Sequence, residues 1–216
     1  MNRRDRILHE IVPEVLPSTY PAAKFRKLDA VWKPGAGYTT CGALPTYIAK
    51  KLGVSAANEK DGLLDYGLVT MRNAAILAGV WSHHFTSLRQ DATRAGKTYH
   101  GPLPRPGDFY LLCSGPKHDA GCNCVGPTDP KEAHRYIGAA IEHVGVIVSA
   151  MGTQWRTADA GQTMGVIDGK TIQGAAYVER TFDPATGFMT GELSRVGKPM
   201  RRLCGWMNVD AYPFKN

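Results

Sequence analysis

Cys41 opens a stretch, residues 41 to 52, in which Leu44, Tyr47, Ile48 and Leu52 recur at helical spacing, with Lys50 and Lys51 in the last turn and Gly53 beyond it. A cysteine at the start of a helix meets unpaired backbone N–H groups and the positive end of the helix dipole, and both stabilise a thiolate. The same N–H groups can receive the oxyanion that forms when a thiolate attacks a carbonyl. Cys41 is therefore a candidate nucleophile; the competing reading is an inert packed thiol. His143 opens the apolar run HVGVIVSA, and from a strand its ring can reach a helix packed across the sheet edge. A hydrogen-bonded structural histidine is the alternative. In WRTADAGQ, Asp159 can accept the second ring N–H and orient the imidazole, and Gln162 can do so as a neutral acceptor. Asp159 also suits a turn that follows a strand.

These side chains need elements to hold them. Residues 7 to 16 read as a short helix ended by Pro17, and a further helix is expected over residues 61 to 79, with Leu64, Leu68, Met71, Ala75 and Leu77 as its apolar stripe and Gly79 as its stop. The period then changes. FYLLC at 109 to 113, HVGVIVSA at 143 to 150 and QWRTA at 154 to 158 read as strands, the last two joined through AMGT as a hairpin, with more strand expected around 163 to 182 and 201 to 209. Helices first and antiparallel strands after them predict an α+β fold. At 216 residues, without internal repeats or low-complexity tracts, one domain over 1–216 is the simplest organisation. The long stretch from Ser114 to Glu142 falls between two strands, and a loop of that length is usually functional or disordered.

Three segments carry a resemblance. TTCGALPTYIAKKLG resembles the nucleophile helix of the NlpC-type and CHAP-type papain-like cell-wall amidases, RPGDFYLL resembles their PGD-led strand, and EHVGVIV resembles the strand bearing their histidine. The order of cysteine, PGD, histidine and polar third residue is also the family's order. The resemblance spans most of residues 34 to 162 and leaves both ends unaccounted for. It implies N-terminal helices packed on an antiparallel sheet, with Cys41 as nucleophile, His143 as general base and acid, and Asp159 as the residue that orients the ring. Tyr38 stands where the family often places an aromatic near the oxyanion, or else it is a packing tyrosine; Gln162 is carried with it as a substrate-side candidate. Peptidoglycan is the implied substrate, cut at a peptide stem or cross-link without a cofactor. The chain departs from the family at Thr40, where Asp is usual, at Gly42-Ala43 in place of Ser-Gly, and in the segment of about 114–142, where the family is short. Pro45 would delete a second-turn hydrogen bond if the helix began at Cys41, so either the first turn is irregular or the regular helix begins nearer Gly42.

The remaining reactive side chains support other readings. Cys113, His118, Cys122 and Cys124 form a weak candidate zinc set, with a disulfide or reduced thiols as rivals. Five cysteines leave at least one thiol free. His83 and His84 read as ordinary helix-end or loop residues, and Met164, Met189, Met200 and Met207 as core filler. The net charge of +7 favours anionic partners, yet the basic residues, among them Arg3, Arg4 and Arg6, lack the aromatic interleaving of a single-strand nucleic-acid binder and read as a solvated basic surface. No apolar run is long enough for a membrane span, and MNRRDRILHEIVPEVLPSTYP does not read as a secretory signal. The expectation is synthesis in the cytoplasm and action in the periplasm or wall, as a phage lysin or as an injected effector with a cognate immunity protein. The alternatives are a papain-like toxin that deamidates or transacylates a protein, and a zinc-stabilised binding module.

Overall fold

A computed structural model describes residues 1–19, 22–31, 40–53, 68–83, 103–113, 141–183, 187, 189–190 and 201–212. The fold is α+β, with few helices and a sheet of eight strands among the described residues, each pairing antiparallel. The strands are β1 Ser18–Thr19, β2 Trp81–His83, β3 Phe109–Cys113, β4 Ile141–Met151, β5 Gln154–Ile167, β6 Lys170–Phe182, β7 Met189–Thr190 and β8 Arg202–Met207. Their order is β1-β6-β5-β4-β3-β8-β2, with β7 added on β6.

β4, β5 and β6 form a meander whose turns are written in the sequence. Met151 pairs with Gln154 across Gly152 and Thr153, and Gly152 takes the positive φ that a tight hairpin needs. Ile167 pairs with Lys170 across Asp168-Gly169, both residues left-handed, as an Asp-Gly hairpin requires. β5 runs unbroken to Ile167, joining the strand expected at 154 to 158 to the strand expected from around 163. Irregularities at Ala160/Gln162 and Thr163/Gly165 absorb Gly161 and Met164 without ending the strand, so Asp159 lies inside a strand and not in the turn that its neighbours suggest.

β3 is buried on both faces, and its residues divide strictly by alternation. Phe109, Leu111 and Cys113 join Val144, Val146 and Ala158 in a core shared with the helices, whereas Tyr110 and Leu112 join Ile147, Trp155, Phe182, Leu203 and Trp206 on the other face. This two-sided burial explains why FYLLC is apolar throughout.

A short 3₁₀ turn, Thr40–Gly42, leads into the helix Ala43–Lys51. Pro45 is thus the third helical residue, where its missing N–H belongs to the group that has no intrahelical partner. Leu44, Ile48 and Ala49 of this helix pack into the core, and Tyr47 donates its hydroxyl hydrogen bond to Glu14. A second helix, Leu68–Leu77, ends before Gly79 at φ +69; residues 61–67 of the expected span lie outside the described residues.

Both ends of the chain join this framework. The N-terminal helical run covers Arg3–Asp5, Arg6–Ile11 and Val12–Glu14, longer at its start than the expected 7 to 16, and it buries Ile7, Ile11, Val12, Val15 and Leu16. Arg3 and Arg4, expected as solvated surface, are tied down instead. Arg3 donates to the carbonyls of Val209, Asp210 and Tyr212, and Arg4 pairs with Asp108 at 2.7 Å and Asp210 at 2.6 Å. Arg72, Arg180 and Arg202 are also buried, so part of the positive charge is internal. Met189 and Met207 fill the core as expected, Met164 is 45 % exposed and does not, and Met200 lies outside the described residues.

Candidate active site

Cys41 is buried in the 3₁₀ turn ahead of the helix Ala43–Lys51, and that turn packs against β4 and β5. It therefore sits over the two strands that carry His143 and Asp159. His143 lies near the start of β4 opposite Leu112 of β3, at the point where the pairing skips Glu142. Asp159 lies on β5, and both side chains are buried.

The ring of His143 joins the three. Its Nε2 is 2.6 Å from Asp159 Oδ1, which leaves Nδ1 for another partner, and a side-chain hydrogen bond with Cys41 also acts on the ring. Burial is the strongest influence on His143 and pushes its pKa down. The charge of Asp159 and its hydrogen bond, with the hydrogen bond and charge of Cys41, outweigh it and raise the pKa to about 9. An imidazolium is therefore the resting form at neutral pH. By linkage, a group whose charge favours the imidazolium is itself favoured as an anion, so the geometry supports a thiolate–imidazolium pair.

Asp159 is held on every side. Tyr110 donates its hydroxyl to Oδ1 at 2.5 Å, Thr157 donates its hydroxyl to Oδ2, and Arg180 lies 3.2 Å from Oδ2. Burial alone would raise its pKa, but the cations of Arg180 and His143, with the hydrogen bonds from His143 and Thr157, hold it well below the usual carboxylate range. Space for this carboxylate comes from Gly145: a Cβ there would stand 2.2 Å from Asp159 Oδ1 and 2.8 Å from the Tyr110 ring. The glycine of HVG is thus a requirement of the neighbouring strand.

Gln162 is half-buried and its amide meets the carbonyl of Ala160 at 3.5 Å, so Asp159 and not Gln162 is the ring's acceptor. Tyr38 lies outside the described residues, as do His84, His118, Cys122 and Cys124. Cys113 is fully buried in β3 with its thiol directed to the carbonyl of Arg202 at 3.6 Å. Among the described residues there is no group of three or more His, Cys, Asp or Glu side chains able to hold a metal.

Gly145, Tyr110, Thr157 and Arg180 were missed from sequence. Gly145 and Thr157 carried a signal, because each stands two residues from its partner in the chain, on the same strand face as His143 and Asp159. Tyr110 and Arg180 reach Asp159 only through strand pairing, and no local pattern marks them.

Asp108 of the PGD segment lies in a separate cluster. Its carboxylate accepts from the backbone N–H groups of Arg105 at 2.7 Å and Val209 at 3.2 Å and pairs with Arg4. Its place is structural, at the junction of both chain ends with the turn that leads into β3. Compared with known protein families, with curated proteins and with solved structures, the chain matches none.

Proposed function

We propose that the chain is a papain-like cysteine hydrolase that cuts amide bonds in peptidoglycan. The observation that carries this reading is the His143 ring shared between Cys41 and Asp159, with its pKa raised to about 9. The substrate class rests on the resemblance of the cysteine, PGD and histidine segments to NlpC-type and CHAP-type amidases, together with a net charge of +7 suited to an anionic wall polymer.

In this mechanism the Cys41 thiolate attacks the amide carbonyl carbon, and the C=O electron pair moves to oxygen. Collapse of the tetrahedral oxyanion breaks the C–N bond as the His143 imidazolium gives its proton to the departing amine, leaving a thioester on Cys41. Neutral His143 then takes a proton from water, the hydroxide oxygen attacks the thioester, and the carboxylic product leaves with return of the Cys41 thiolate. Asp159 keeps the ring oriented through both transfers. In this reading the backbone N–H groups at the start of the helix Ala43–Lys51 receive the oxyanion. The segment between β3 and β4 would shape substrate choice, and delivery as a phage lysin or as an injected effector with its immunity protein would bring the enzyme to the wall.

Mass analysis of muropeptides after incubation with purified protein tests the reading. The expected result is pairs of fragments whose masses sum to the parent plus one water for each bond cut, all at a single bond type and absent with Cys41→Ala. An unchanged muropeptide profile from folded protein would overturn the substrate assignment, and a profile equally changed by Cys41→Ala would overturn the chemistry.

A further inference from the structure

The Cys41–His143–Asp159 row does not end at the carboxylate. Arg180 on β6 is fully buried, its guanidinium lies 3.2 Å from Asp159 Oδ2, and its Nε donates to Thr157 Oγ1 at 3.0 Å. Thr157 in turn donates to the same carboxylate oxygen, so Arg180 grips Asp159 both directly and through a hydroxyl. The guanidinium also sits 5.6 Å from the centre of the Tyr110 ring, whose hydroxyl holds the other oxygen, Oδ1. Among the described residues the titratable groups meeting Asp159 are Tyr110 from β3, His143 from β4 and Arg180 from β6. Cys41 meets His143 at the opposite end.

We propose that Arg180, aided by Thr157, is a positioning residue that completes a buried row of alternating charge, Cys41 thiolate, His143 imidazolium, Asp159 carboxylate and Arg180 guanidinium. The role rests on the functional reading above. Three of these groups alone would carry a net negative charge in a desolvated site, and the form that loses most is the one with the thiolate. The fourth group brings the row to neutrality. A guanidinium remains charged at any pH at which the protein is folded, so the balance does not depend on a further titration. The Arg180 charge beside Oδ2, with the Thr157 hydroxyl on the same oxygen, leaves Oδ1 for His143 and thereby sets which oxygen orients the ring.

The rate at which iodoacetamide alkylates Cys41 as a function of pH, followed by mass spectrometry, reads thiolate formation without any substrate. Wild type is expected to react well below the ordinary thiol pKa of about 8.5. Arg180→Met should move the rising limb upward by about one pH unit, a roughly tenfold loss of rate on that limb. Arg180→Lys should restore most of the shift by keeping the charge, and Thr157→Val should give a smaller shift of the same sign. Circular dichroism melts identify which variants fold; if Arg180→Met does not, Arg180→Gln, also without the charge, and Thr157→Val carry the comparison. A folded uncharged variant of Arg180 with an unmoved limb, or, where neither uncharged variant folds, a wild-type limb for Thr157→Val, would overturn the proposal and leave Arg180 a packing residue. A wild-type limb at the ordinary thiol value, unaltered by His143→Ala, would overturn the thiolate–imidazolium reading itself.

Discussion

At Asp159 four groups converge on two oxygens: His143 and Tyr110 on Oδ1, Thr157 and Arg180 on Oδ2. This changes what a conservative substitution does. From sequence alone, Asp159→Asn promises a mild effect, because an amide oxygen can still hold the ring. In the structure the amide NH₂ would face either the Tyr110 and His143 donors or the Thr157 donor and the Arg180 cation, and Arg180 would be left a buried cation without its anion. Asp159→Asn is therefore expected to cut turnover by about 10²–10⁴-fold and to destabilise the fold by about 3 kcal/mol. Cys41→Ala should abolish turnover with little change in melting, and His143→Ala should be comparably inactive. Muropeptide turnover and thermal melts of the three variants check this ranking; near-native turnover in Asp159→Asn would show that the charge is dispensable. Cys41, His143 and Asp159 were legible because each stands in a local pattern, a helix start or an apolar strand. Arg180 was not, since its charge pointed to solvent and only the pairing of β5 with β6 turns it inward.

At the scale of elements, β4 and β5 must approach closely enough for a carboxylate to cross between them, and Gly145 is what permits it. Adding one methyl group there forces Asp159 and the Tyr110 ring to move together. Gly145→Ala is expected to cost about 1–3 kcal/mol of stability, as overpacking does. It should also displace the carboxylate from His143, slowing alkylation of Cys41 at neutral pH. Denaturant midpoints and the alkylation rate decide the matter, and unchanged values for both would mean that the strands part without consequence. The element boundaries show where sequence reasoning reaches its limit. The irregular first turn required by Pro45 was foreseeable, because a missing N–H has a definite cost. The continuation of β5 through Gly161 and Gly165 was not, because glycines and an aspartate in a row signal a turn unless the partner strand holds them in a bulge.

The molecule as a whole is closed by its ends, which the family resemblance left out. Arg4 bridges Asp108, Asp210, Asn208 and the carbonyl of Pro106, and thereby ties the N-terminal helical run to the turn that enters β3 and to the chain after β8. Arg4→Ala leaves the buried Asp108 carboxylate with its backbone donors alone, and a destabilisation of about 3 kcal/mol is expected in chemical denaturation; a variant as stable as wild type would show the clamp to be incidental. Stability should also follow pH in a way set by the charged row. His143 has a pKa of about 9 in the fold against an ordinary 6.5, so the folded chain keeps a proton that the unfolded chain releases between those values. Its contribution is complete below pH 6.5 and is lost as pH rises through about 9. Asp159 has the opposite sign: its lowered pKa gives a contribution complete above the ordinary 3.8 and lost as pH falls below it. Asp108, raised chiefly by burial, opposes Asp159 on the acid side, so the acid limb mixes two effects. On the alkaline side Tyr110, also raised, loses its contribution only above its ordinary value of 10. Cys41 runs against His143, because its thiolate holds no proton where the unfolded thiol, with its ordinary pKa of about 8.5, still holds one. The folded and unfolded pair then bind one proton each from pH 6.5 to about 8.5, so calorimetry should find a level melting temperature there, whereas Cys41→Ala, with His143 still held by Asp159, should show a fall that begins near pH 6.5. A Cys41→Ala protein whose melting temperature stays level above pH 6.5 would mean that Asp159 does not hold His143 as an imidazolium, and the ion-pair mechanism would have to give way to one in which His143 takes the thiol proton only as attack begins.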